Sequence, residues 1–301
     1  MSRLRDVSLF LLLAVLWGLS FPAIAVGLDY LPPLLFAAFR YDVAAVLLLA
    51  VAVTRIDEWA PTERNDLAAV AGGGLFLVAG NGLLFVGQQT VPSGVAAIIQ
   101  ALVPIVTAIW ALVLLGERLS WLGTVGVAVG FLGTGLVVQP DPNNLMVGDT
   151  LGRLIIVAQS ISVALGGVLI QRAQPTIDRL PLVGWSMLVG AMVLHIASLG
   201  IGELPSSEAL VPTAIGVVLY LGVFSTAIAF LIYFSILQRY GAFEAALVAY
   251  LVPVVATVVG VVVLEESIGS TTLLGFGLVA VGFVLLKRQA IADLTGLSVG
   301  P

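Results

Sequence analysis

Residues Pro92 to Val137 read PSGVAAIIQALVPIVTAIWALVLLGERLSWLGTVGVAVGFLGTGLV, and 149 positions later Gly241 to Leu286 read GAFEAALVAYLVPVVATVVGVVVLEESIGSTTLLGFGLVAVGFVLL. Laid over each other without a gap, Ala96-Ala97 falls on Ala245-Ala246 and Leu102-Val103-Pro104 on Leu251-Val252-Pro253. Glu117 falls on Glu266, Gly126 on Gly275 and Gly133 on Gly282. Each copy is an apolar stretch with a central proline, a carboxylate at its end, and a second apolar stretch rich in glycine. The chain is therefore a doubled unit.

Working outward, the solvent comes first. Of 301 residues 60% are hydrophobic and 10% charged, too few polar groups to coat a water-soluble globule. The surroundings are a lipid bilayer. The formal charge of -5 sits mostly in loops, and no basic patch suits nucleic acid. The absence of cysteine excludes disulfides, thiolate metal sites and cysteine nucleophiles. No cofactor or metal is expected.

About 20 apolar residues cross a hydrocarbon core of ~30 Å. About ten such spans are legible, near 7–27, 33–53, 66–88, 92–115, 119–138, 151–172, 182–201, 210–237, 243–264 and 271–287. Lipid cannot satisfy backbone N–H and C=O groups, and no alternating barrel pattern is present, so an all-α membrane protein is expected. Arg3 and Arg5 precede the first span, and Ala23-Ile24-Ala25 mimics a cleavage site. Its apolar run is too long for a signal peptide and has a counterpart at 151–172, so it is expected to be retained.

Basic residues set the orientation. With Arg3 and Arg5 in the cytoplasm, alternate connections hold Arg55 and Arg64, Arg118, Arg172 and Arg179, Arg239, then Lys287 and Arg288; the intervening loops hold no Lys or Arg. This positive-inside pattern predicts both termini in the cytoplasm. Five spans per unit is an odd number, so the second unit enters from the opposite side: two inverted five-helix repeats. The expected division is residues 7–138, a turn-rich linker at 139–149, a second repeat at 150–287 and a cytoplasmic tail at 288–301. Inverted repeats recur in secondary transporters, with a midplane substrate site between halves that rock for alternating access.

Several motifs carry a resemblance. Trp17-Gly18 with Ser20-Phe21, Pro33 with Arg40, and Pro104 followed by Leu115-Gly116-Glu117-Arg118-Leu119-Ser120 are similar to the EamA unit of the drug/metabolite transporter superfamily. Tyr220-Leu221-Gly222, Ser225-Thr226-Ala227, Leu251-Val252-Pro253 and Leu264-Glu265-Glu266 extend the likeness through the second half. The chain departs from the pattern where Gly-Glu-Arg becomes Glu265-Glu266-Ser267 and where 151–172 lacks a tryptophan. The resemblance implies a ten-helix transporter of small organic solutes at the plasma membrane, often an exporter of amino acids or related metabolites.

Candidate working residues follow from depth and chemistry. Pro104 and Pro253 each remove a helix hydrogen bond and free a carbonyl four residues back, at Gln100 and Ala249; they are either hinges or static bends. Arg40 and Asp42 lie deep in the second span, where charge is costly by roughly 2.5–3.5 kcal/mol on insertion scales, so they need partners or water. Two positions apart, they point in nearly opposite directions. Arg40 either attracts a substrate carboxylate or locks its helix to a neighbour, and Asp42 either accepts a coupling proton or braces.

Mid-depth polar and aromatic residues are candidates for substrate binding: Trp17, Ser20, Asn81, Gln100, Gln159, Ser162, Ser225, Thr226 and Tyr250. Some of them are expected to act only as interhelical glue. Glu117 and Glu266 are expected either to cap the helix that follows each of them or to gate by contact with a basic residue on the same membrane face. Gly126, Gly130, Gly133, Gly275 and Gly282 permit close packing of spans five and ten, or a homodimer seam. His195, the one histidine, makes no metal site and reads as a helix contact or a pH sensor.

The expected function is a secondary carrier of small organic solutes, such as amino acids, related metabolites or amphiphilic compounds. With no Walker loop, one histidine and no nucleophile–base set, neither ATP drive nor an enzyme is expected. Alternatives are a carrier of phosphorylated or nucleotide-linked sugars, for which only Arg40 and Arg153 are available as cations, a lipid flippase, or a membrane scaffold. Expected partners are the lipid bilayer and the solute, with the chain as monomer or homodimer.

Overall fold

The computed structural model describes residues 2–140, 148–240, 242–286 and 288, with the backbone alone for 2–7, 234, 237–240 and 242–247. Among these residues there is no strand, and ten helices follow one another. They are α1 (Ser2–Gly18 and Ser20–Leu28), α2 (Pro33–Arg55), α3 (Arg64–Gly87), α4 (Ser93–Leu115), α5 (Trp121–Val138), α6 (Gly148–Ala173) and α7 (Arg179–Gly200). α8 runs through Pro212–Leu219, Tyr220–Ile228 and Ala229–Tyr240, α9 is Ala242–Val263 and α10 is Ser270–Leu286.

Eight have the length and apolarity to cross a membrane, and the described apolar parts of α9 and α10 are shorter. Large apolar side chains such as Val113, Leu132, Val262 and Leu274 are more than 60% exposed, which in this composition means a lipid-facing belt. Of the linker at 139–149, Gly148 and Asp149 already belong to α6, and residues 141–147 lie outside the described part. The same holds for the tail at 288–301 beyond Arg288.

Corresponding helices of the two halves face each other. α5 lies on α10 and α2 on α7, two of the most extensive helix contacts among the described residues. A Cβ on Gly126 would strike the Gly282 carbonyl, and one on Gly133 would sit 2.6 Å from the Gly275 carbonyl. Because the higher number on one helix meets the lower on the other, α5 and α10 run antiparallel. Small residues let their backbones touch. α2 and α7 are antiparallel by the same reading: Leu49 packs beside Gly184, and Asp42 meets His195. The remaining contacts repeat in kind, α4 on α6 as α1 on α9, and α3 on α7 as α8 on α2.

Regular helix fails at five places, one of them the turn at Gly80-Asn81 ahead of the last piece of α3, Gly82–Gly87. α1 breaks at Leu19, between Ser2–Gly18 and Ser20–Leu28. α4 breaks at Ala101-Leu102, between Ser93–Gln100 and Val103–Leu115. α3 widens to π-helix over Gly73–Ala79 and α8 over Tyr220–Ile228. Widened turns leave carbonyls under-satisfied, and side chains answer them. Ser162 Oγ donates to the Phe76 carbonyl at 2.9 Å, and Thr226 Oγ1 donates to the Leu221 carbonyl, five residues back, at 2.7 Å.

Carboxylates tie one half to the other at helix starts, where free N–H groups and the helix dipole favour an anion. Glu203 accepts from the Leu34 and Leu35 amides at the start of α2, at 3.2 and 2.9 Å. Asp66 accepts from the Thr176 and Ile177 amides ahead of α7, at 2.6 and 3.0 Å. Glu266 accepts from the Ser93 amide and hydroxyl, both at 2.8 Å, and from the Gly94 amide at 3.3 Å. This corrects one expectation, since Glu266 caps α4 in the opposite half and not the α10 that follows it. A carboxylate on a loop reaches whichever helix end lies nearest in space. Glu117 is exposed.

Candidate functional site: a buried polar chain across both halves

Ionisable and amide groups withdrawn from water must bond to one another. Arg40 on α2 is 6% exposed, and its Nε donates to Thr226 Oγ1 on α8 at 2.8 Å. The π-helical turn holds Thr226 ready for this, because its own hydrogen is spent on the Leu221 carbonyl. The guanidinium Cζ lies 5.3 Å from the Tyr41 ring centroid and 5.9 Å from that of Phe85 on α3, within range of cation–π attraction.

Tyr41 carries the chain onward. Asn81 Nδ2 on α3 donates to the Tyr41 hydroxyl at 2.7 Å, and Gln159 Nε2 on α6 donates to Asn81 Oδ1, also at 2.7 Å. Ser160 Oγ shares its one hydrogen between the Ile156 carbonyl, at 3.0 Å, and Gln159 Oε1, at 3.3 Å. Four helices, two from each half, are thus joined through residues that are all buried. Here the structure brings Arg40, Thr226, Asn81 and Gln159 together.

The other candidates go elsewhere. Ser20 Oγ donates to the Trp17 carbonyl beside the break in α1. Ser225 Oγ and the Tyr220 hydroxyl both donate to the Leu16 carbonyl, at 2.8 and 3.3 Å. Trp17 packs on Phe230 and Tyr233, with ring centroids 6.0 and 5.4 Å away. Tyr250 packs on Phe283 at 4.6 Å, its enclosed hydroxyl without a hydrogen-bond partner among the described residues. Ser162 serves the α3 carbonyl described above.

Gln100 is half-buried at the last residue of the first piece of α4, and its side-chain amide makes no hydrogen bond among the described residues. Pro104 has no N–H to return to the Gln100 carbonyl, and Leu102 bonds back only to Ile99, at 3.0 Å. Pro253, by contrast, lies inside the unbroken α9.

Asp42 Oδ2 is 2.8 Å from His195 Nε2, and both side chains are about one-third exposed. Exposed Val46 and Leu199, four positions on from each, share their helix faces, so the pair lies on the flank of the α2–α7 contact, away from Arg40. The angular separation of residues two apart on a helix requires that divergence. Arg153 forks onto Asp149 at 3.0 and 2.7 Å and donates to the Val137 carbonyl at 2.6 Å, which commits it outside the polar chain.

Three contributors are not evident from residue type. Tyr41 and Phe85 read as apolar filling, and His195 pairs with Asp42 from 153 positions away. Only the adjacency of Tyr41 to Arg40 hinted at the first.

The profile of the EamA-like transporter family matches the chain twice, over residues 5–139 and 150–288. An uncharacterized inner membrane transporter of Escherichia coli, YedA, is 33% identical over 279 residues, spanning 91% of this chain and 88% of its own length. An uncharacterized transporter of Archaeoglobus fulgidus is 29% identical over 91% of this chain and 95% of its own. A protein of Escherichia coli described as a probable amino-acid metabolite efflux pump is 28% identical over 97% of this chain and 99% of its own. A crystal structure covering 96% of this chain superposes with a TM-score of 0.65 at 19% identity, a likeness of fold. From the doubled match, the apolar helices and these relatives, the chain belongs to the EamA-like transporter family and is a multi-pass transporter of the cell membrane.

Proposed function

We propose that this protein is a secondary carrier exporting small organic solutes, amino acids or related metabolites among them, by alternating access between two inverted five-helix repeats. The units are 7–138 and 150–287, joined by 139–149, with the amino terminus and the 288–301 tail in the cytoplasm. The observation that carries the reading is the antiparallel packing of corresponding helices, α5 on α10 and α2 on α7, around a buried polar chain drawn from both halves. Two units related in that way can exchange conformations, so that whatever opens the site to one face has a counterpart opening it to the other. The relatives described as amino-acid metabolite efflux pumps support the direction and the solute class.

Within this reading Arg40, Thr226, Asn81 and Gln159 form the substrate centre and Gln100 lines the approach at the break in α4. Trp17, Ser20, Ser225 and Tyr250 shape the walls through the contacts described, and Ser162 acts at the rim. Pro104 is the working hinge, with Pro253 its latent counterpart. Asp42, paired with His195 on the flank, is the candidate for coupling to a proton gradient.

The test exploits a chain without cysteine. In right-side-out and inverted vesicles, Gln100→Cys should react with a membrane-impermeant maleimide from both faces, and saturating solute should alter both rates. Reaction from one face only, whatever the solute, would sink alternating access.

A further inference from the structure

The charge of Arg40 is unanswered. Among the described residues it is the one buried cation, and it has no ion pair. Asp42, two positions on, is turned to His195 on the flank, and Thr226, the hydrogen-bond partner of Arg40 among the described residues, is a neutral hydroxyl. Nε is used; the two Nη atoms make no hydrogen bond with the described residues, yet neither is fully enclosed by protein. The Tyr41 hydroxyl, which accepts from Asn81, likewise has its own hydrogen uncommitted. Donors beside a desolvated, uncompensated positive charge describe half of an interaction.

We infer that Arg40 is the anion-binding centre of the carrier, taking the carboxylate of a small organic acid or amino acid on its paired Nη atoms, with the Tyr41 hydroxyl as a further donor. This rests on the carrier reading above and specifies its cargo. The fork of a guanidinium matches the two oxygens of a carboxylate bidentately, and the Tyr41 and Phe85 rings, with centroids 5.3 and 5.9 Å from Cζ, help to hold it in place. A phosphate or nucleotide-linked sugar brings more negative charge than one cation balances, and Arg153, the other candidate, is held by Asp149. The amide chain behind Tyr41, satisfied through Asn81, Gln159 and Ser160, holds that hydroxyl from both halves. Binding of the carboxylate and the packing of α2, α3, α6 and α8 are thereby linked.

The purified full-length chain provides the test. Its melting temperature is followed at constant ionic strength against sodium butyrate and hexanoate, butyramide, n-butylammonium, chloride and phosphate, for the natural protein, R40K and R40Q. Carboxylates should raise the melting temperature saturably where amide and ammonium do not. R40K should need about tenfold more carboxylate and R40Q should show no shift. Unliganded R40Q should melt no lower than the natural protein, because it loses a charge without a counter-charge.

An R40Q protein that melts far lower, while carboxylates shift neither protein, would make Arg40 a structural brace and overturn the inference. Equal shifts by chloride or phosphate, or an undiminished shift in R40Q, would overturn it too. If R40Q cannot be recovered folded, an unchanged half-saturation in R40K does the same. Counterflow separates the two levels. Arg40-dependent binding without counterflow removes the carrier and leaves the site, whereas counterflow of n-butylammonium undiminished in R40Q removes the site and leaves the carrier.

Discussion

The helices α4 and α9 carry the same Leu-Val-Pro at matching positions and take different shapes. α4 is cut after Gln100 and resumes at Val103, whereas α9 runs through Pro253 without interruption. The proline removes the same backbone donor from both, so the surroundings decide. The first piece of α4 is buried from Ser93 to Ile99 and anchored at its start by Glu266 from the other half. The free carbonyl at its end sits beside a half-exposed amide side chain. In α9 the equivalent carbonyl belongs to Ala249, which has no polar side chain to offer. A proline supplies the possibility of a break, and the neighbours select whether it is used.

Where the halves agree, matched substitutions should act alike, and the largest effect is expected there. Gly126→Leu and Gly275→Leu each force a side chain into the backbone of the facing helix, Gly282 in one case and Gly133 in the other. Each should lower stability by over ~3 kcal/mol, near the top of the range for overpacking, seen as loss of the folded fraction in detergent. Gly135→Leu, with open space around it, is the control. Markedly unequal losses would break the equivalence of α5 and α10.

Where the halves differ, matched substitutions should separate. Pro104→Ala restores the missing donor and lets α4 close into one helix, so solute flux at matched expression should fall about tenfold, or ~1.4 kcal/mol on the barrier. Pro253→Ala acts on a helix already continuous and should leave flux within about a factor of two of the natural protein, under ~0.5 kcal/mol. Equal effects would show the break in α4 to be incidental.

The smallest expected difference lies in the acids. Glu266→Ala removes three hydrogen bonds at the start of α4 and should cost ~1–2 kcal/mol in chemical unfolding. Glu117→Ala, at an exposed position, should stay within ~0.5 kcal/mol. A matching loss at Glu117 would extend the carboxylate staple to the start of α9.

The doubling and the helical class were legible in the chain because they depend on composition and periodicity: lipid permits few backbone solutions, and a repeated motif repeats its helices. Part of the candidate site was legible for the same reason. A charge such as Arg40, or an amide such as Asn81 or Gln159, stands out among apolar neighbours. Which of these residues meet is a matter of helix rotation and crossing, set by glycine contacts such as Gly126 with Gly282 and by the widened turns in α3 and α8.

The sequence by itself thus determined a membrane-embedded, all-helical, duplicated chain with costly polar residues at depth, since hydropathy acts residue by residue. Only the tertiary structure decided that Glu266 caps the opposite half, that Asp42 finds His195, and that Arg40 finds a hydroxyl instead of a carboxylate. Those outcomes depend on distances between segments up to 186 positions apart, which side-chain packing closes and local composition does not encode.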